Sequence, residues 1–176
     1  MQLQQLTATD EAIVAAQLGR SPRGIAGVAW RCRYGKPGVI ATMPRLSDGS
    51  PFPTTYYLTC PLAVTACSQL ESKGVMAELS QRLASDADFA RRYRQAHQEY
   101  LSDRNSLEQV PQIAQMSAGG MPDRVKCLHA LLAHALASPG INPVGVEVFE
   151  RIGHIWESPS CEEHDVCASK QQHEED

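Results

Sequence analysis

The residues of this chain best suited to chemistry are gathered in one stretch, Ser117-Ala-Gly-Gly-Met-Pro-Asp-Arg-Val-Lys-Cys-Leu-His-Ala-Leu-Leu-Ala-His-Ala-Leu-Ala137. An acid (Asp123), two cations (Arg124, Lys126), a thiol (Cys127) and two imidazoles (His129, His134) follow a glycine pair, Gly119 and Gly120. The first chemistry this suggests is anion binding. Pro122 suits the opening turn of a helix, where its missing N–H costs nothing, so a helix is predicted from Pro122 to Ala137. A helix N-terminus offers unpaired N–H groups and partial positive charge. A preceding Gly-Gly lets the backbone approach a phosphate closely. Arg124 and Lys126 would add charge in the first turn, while Asp123 competes for the field unless it holds a metal that bridges phosphate. The pattern is not a Walker loop, because Gly-x4-Gly-Lys-Ser/Thr is absent.

More cation comes from upstream. From Ala12 to Ser47 there is no Asp or Glu, yet the span holds Arg20, Arg23, Arg31, Arg33, Lys36 and Arg45. Arginine is shaped for bidentate contact with phosphate. Arg31 and Arg45 are therefore expected to reach the glycine pair, with Trp30, Tyr34, Phe52, Tyr56 and Tyr57 placed to stack on a base. The expected ligand is a phosphate-bearing small molecule.

The second chemistry is metal binding. Cys127, Cys60, Cys32 and His134 are the expected ligand set, with His129 of the right type, and zinc or iron is the cofactor they would take. Helical spacing argues against a purely local site. Cys127 and His134 would lie about 10.5 Å apart along a helix axis, and Cys127 and His129 would point about 160° apart. Only Asp123 with Cys127 converges at i, i+4. By the same geometry Cys127 has no histidine partner, so it is not expected to be a nucleophile. His129 reads as a core histidine. Cys161-x2-His164-x2-Cys167 promises only weak chelation.

The elements that must position these residues are mostly helical. Thr7 or Thr9 caps a first helix that ends at Gly19. Strands are predicted over Ile25–Arg33, Val39–Met43 and Thr54–Thr59, joined by connections short enough for an antiparallel meander. Helices follow over Pro61–Ser72, Val75–Ala84 and from a cap at Ser85 or Asp86. Arg91, Arg92, Arg94, Glu99 and Asp103 form a solvated face on the last of these. After the central helix, Ser138-Pro139-Gly140 is a stop, and Asn142-Pro143 starts a final helix to Ile155 or Trp156. This predicts an α+β protein: a small antiparallel three-stranded sheet packed against several helices, with a buried central helix. Its organisation is one domain over residues 9–156 and a disordered acidic tail over 157–176, where seven acids face Lys170 alone.

A domain of this size buries roughly 70% of its unfolded surface and needs no staple. No apolar run approaches the roughly 20 residues that span a bilayer, and the N-terminus lacks a basic leader. The expected compartment is cytoplasmic, so the six cysteines read as thiols or metal ligands rather than a disulfide framework. Six clustered bases against a net charge of −4 are too few for nucleic acid, which is not an expected partner. Nothing in the pattern encodes the oligomeric state.

The runs Pro-Phe-Pro-Thr-Thr-Tyr-Tyr-Leu-Thr (51–59), Gly-Val-Met-Ala-Glu (74–78) and Ser117 to Ala130 resemble the domain-of-unknown-function family 501, and Asn142-Pro143 is similar to that family's closing motif. The likeness extends from Asp10 to Glu150. It implies a bacterial, mainly actinobacterial, cytosolic protein, often encoded near enolase, a septum-formation initiator and an exopolyphosphatase-like phosphatase. From that neighbourhood comes a third expectation, an interaction module linked to cell division. The family carries no assigned activity, so the resemblance transfers no catalytic residue.

Overall fold

The computed structural model describes residues 1–157. The expected tail lies outside them except for Glu157, which closes a helical turn, Gly153–Glu157.

Thr7 opens the first helix, α1 (Ala8–Leu18), with a capping box: its hydroxyl accepts from the Asp10 amide while the Asp10 carboxylate accepts from the Thr7 amide. Gly19, at φ 65°, ends the helix in the left-handed conformation that suits glycine. Three antiparallel strands follow in the order β1 (Ile25–Arg31), β2 (Pro37–Thr42), β3 (Tyr56–Leu58). Val28 pairs with Ile40, and Val39 with Leu58. Gln4 makes an isolated antiparallel bridge to Val28 of β1. Strand β2 is buried at every position, as expected of a middle strand covered on both faces.

Helices α2 (Pro61–Ser72), α3 (Val75–Ser85) and α4 (Ala87–Leu107) follow, with α2 packed on α3 and α3 on α4. Pro61 occupies the first turn of α2, and the Asp86 side chain caps α4 by accepting from Phe89 N–H. Asp103, expected on a solvated face of α4, instead accepts from the Tyr56 hydroxyl at 2.6 Å.

Helix α5 (Leu128–Ala137) is the buried centre, packed on β3, α2 and α6 (Pro143–Ile152). Leu128, Leu131 and Leu132 are fully buried, each contributing about 2 kcal/mol of apolar transfer. Asn142 caps α6 by accepting from Val144 and Gly145 N–H. Gly145 lets α5 and α6 touch: a Cβ there would sit 2.1 Å from the Leu131 carbonyl oxygen. Within the described residues no helix is long and apolar enough to cross a membrane.

Candidate functional site

The helix predicted from Pro122 begins only at Leu128. Residues 119–127 instead form a folded loop in which the amides of Arg124, Val125 and Lys126 are already taken. Lys126 N–H donates to the Gly119 carbonyl at 2.7 Å, Arg124 N–H to Gly120 at 3.1 Å, and Val125 N–H to the Ser80 hydroxyl at 3.2 Å. Gly119 (φ 69°) and Gly120 (φ 92°) are required by this loop. A Cβ on the first would strike the Leu131 side chain at 2.5 Å, and on the second the Arg124 carbonyl at 2.5 Å.

The loop is propped by α4. Tyr93 donates its hydroxyl to the Arg124 carbonyl at 3.0 Å, and His97 Nδ1 lies 2.9 Å from the Ser117 hydroxyl. Arg104, with none of its surface exposed, donates to the carbonyls of Met116 and Ala114. Desolvation lowers its pKa from the ordinary arginine value.

In front of the loop lies a cleft of about 1280 Å³. Its walls are the glycine loop, β3 and the first turns of α2, and they include Gly119, Gly120, Asp123, Arg124, Lys126, Cys127 and His129. Arg124 and Lys126 are exposed, with Val125 buried between them. The two upstream arginines expected here are elsewhere. Arg31 grips Asp10 through two nitrogens, at 2.6 and 2.8 Å, and holds its carboxyl well below the usual carboxylate range. Arg45 pairs with Glu108 at 2.9 Å. Neither lines the cleft.

The start of α5 already holds an anion, and it is the protein's own. Glu71 of α2 accepts from Leu128 N–H at 2.7 Å and from His129 Nδ1 at 3.1 Å through the same oxygen. Cys127 is not helical: as N-cap it has φ −152° and ψ 112°, and this extended conformation swings its sulfur to 3.9 Å from His129 Nδ1. The 160° divergence expected in a regular helix therefore does not apply. Nor is His129 a core histidine: a quarter of its side chain is exposed, and it lines the cleft.

On its other side His129 Nε2 lies 3.1 Å from the Val64 carbonyl and 3.3 Å from the Ser68 hydroxyl. Val64 O and the Glu71 carboxylate are both acceptors, so the ring is stabilised with a proton on each nitrogen. The sulfur beside it and the Glu71 charge outweigh partial burial and push its pKa up to about 9. Burial raises the Cys127 thiol, but the His129 hydrogen bond and the Ala130 amide overcome it, so the net shift is downward.

Of the expected metal ligands, the structure brings only Cys127 to this point. Among the described residues, the one grouping of three donors is Glu71, Cys127 and His129, with all three atoms within 4.8 Å of one another. Cys32 and Cys60 are buried outside it. His134 is fully buried in the core, stacked on Tyr56 with ring centroids 5.6 Å apart and accepting from Asn142 Nδ2 at 3.2 Å. Burial lowers its pKa to about 4. Glu71 could not be found from spacing, because it lies 57 residues from the amide it caps. The Cys-x-His pair was visible, but not its geometry.

No curated protein and no solved structure matches the chain. Residues 28–150, most of the sequence, match the family described as "Protein of unknown function (DUF501)", and with these residues aligned the chain belongs to that family.

Proposed function

We propose that the cleft binds a small molecule bearing phosphate or an equivalent negative group, and that the Cys127–His129 pair acts on it. The observation that carries this is the presence of two exposed cations, Arg124 and Lys126, on the cleft wall beside the thiol and imidazole. The mechanism of recognition does not use the amides of Arg124, Val125 and Lys126, which already have partners. It is side-chain charge: a guanidinium suited to bidentate contact and an ammonium acting as a point charge. Tyr57 and Thr54 on the opposite wall supply an aromatic face and a hydroxyl. A bound ligand would meet a Cys127 thiol whose pKa is lowered by the adjacent imidazole.

Thermal shift at low salt against nucleotides, sugar phosphates and pyrophosphate tests this. At least one is expected to raise the Tm, and the Arg124→Ala, Lys126→Ala double variant to bind it at least about tenfold more weakly. A ligand that binds the double variant equally well would sink the proposal, as would a flat response across the panel.

A second reading is favoured by the convergence of Glu71, Cys127 and His129: the same wall binds a transition metal.

A further inference from the structure

We infer that Glu71, Cys127 and His129 hold one zinc-class divalent ion in a three-ligand site whose remaining coordination position opens into the cleft. The donor set is a carboxylate oxygen, a thiolate and an imidazole nitrogen, the mixture that zinc and its neighbours accept. A tetrahedral ion with bonds of about 2.0–2.3 Å sets its donors about 3.3–3.6 Å apart. Here Cys127 Sγ and His129 Nδ1 are 3.9 Å apart, and Nδ1 and Glu71 Oε1 are 3.1 Å apart. The third separation is within 4.8 Å. Side-chain shifts of about 1 Å or less would close the site.

The groups around these donors are arranged as a metal requires. His129 Nε2 faces the Val64 carbonyl at 3.1 Å, which keeps a proton on that nitrogen and leaves Nδ1 as the ligating atom. Glu71 is held in place by Leu128 N–H at 2.7 Å. Cys127 and His129 both line the cleft, and no fourth His, Cys, Asp or Glu joins the group among the described residues. Three protein ligands with one position facing a cleft is the pattern of reactive zinc sites rather than structural ones. An anionic group bound by Arg124 and Lys126 would thus have an ion beside it, deepening the reading of the cleft given above.

The test uses full-length protein, freed of any His tag and stripped with chelator. Zinc is titrated against a chromophoric competitor, and cobalt is added separately for its spectrum. One equivalent of zinc is expected, with a sulfur-to-cobalt charge-transfer band that disappears in Cys127→Ser. Zinc affinity should fall at least about a hundredfold in that variant and at least about tenfold in Glu71→Gln, which can still accept from Leu128. Circular dichroism confirms that each variant folds, and His129→Gln serves where one does not. Thiocyanate should shift the visible cobalt bands as it enters the open position. A band that survives Cys127→Ser overturns the assignment, as does less than one equivalent bound by the wild type. So does loss of binding in a Cys161→Ser, Cys167→Ser variant, and a spectrum indifferent to thiocyanate overturns the open position. These titrations need no phosphate compound, so failure of the metal site and failure of the anion site are seen separately.

Discussion

His129 and His134 stand on the same ten-residue helix, yet the protein treats them oppositely. His129, at the first turn, has acceptors on both ring nitrogens and a sulfur alongside, and its pKa is pushed up to about 9. His134, a little over a turn further on, is enclosed by Tyr56, Tyr100 and Asn142, and burial takes its pKa down to about 4. One is kept charged by neighbours that accept protons; the other is kept neutral because no solvent reaches it. The same contrast divides the cysteines. Cys67, fully buried on α2, is pushed up to about 12, chiefly by burial and then by Glu71. Cys127 is lowered. Residue type alone does not make a site here; the free end of α5 does, because donors from α2 meet it there.

The contrast can be broken most severely where α5 is fixed. Gly145→Ala forces a Cβ against the Leu131 carbonyl and Ala135; a loss of about 3 kcal/mol or more is expected in urea unfolding. His134→Ala removes a buried ring with its stacking and its Asn142 bond, and should cost about 3 kcal/mol. His129→Gln, at the partly exposed end, should cost less, about 1–2 kcal/mol near neutral pH. Equal losses at the two histidines would show that the ends of the helix are not as different as described.

The pH profile sharpens the comparison. A histidine whose folded pKa is depressed is protonated more readily in the unfolded chain. Its contribution is complete above the ordinary value of 6.5 and is lost as pH falls toward 4. For His134 the loss is on the order of 3 kcal/mol, and His97, lowered by burial, adds to it with the same sign. His129 has the opposite sign: its contribution is complete below 6.5 and disappears as pH rises through about 9. Unfolding midpoints across pH should therefore fall more steeply between 6.5 and 4 in wild type than in His134→Gln. The smallest effect on stability, though easily read, is thiol reactivity. At neutral pH iodoacetamide should label Cys127 at least about tenfold faster than Cys67, as mass spectrometry of the peptides would report. Equal labelling of native protein would remove the distinction between the two thiols.

Much of this fold could be read from local signals, because local signals caused it. Thr7 with Asp10, Gly19, Asp86 and Asn142 mark helix boundaries through hydrogen bonds made within a few residues, and Pro61 through its fixed φ and missing N–H. The central helix was legible as buried but not where it began. Pro122 and the glycine pair suit a helix start and a tight loop equally. The loop prevails through contacts to Ser80 and Tyr93, which lie far away in sequence. For the same reason Arg31 and Arg45 could be seen as basic but not as already paired with Asp10 and Glu108. Glu71 was invisible, since its role exists only once α2 lies beside the start of α5.

The Glu71–His129 contact also bears on how the chain matures. The carboxylate and the imidazole it meets are 58 residues apart, with α3, α4 and the glycine loop between them. A partly synthesised chain that has emerged only through α4 has neither Cys127 nor His129, and in an unfolded one this site is reduced to a two-donor Cys-x-His fragment. Tight ion capture would therefore mark completed assembly, and a cobalt spectrum recorded during refolding would time the docking of α2 against α5.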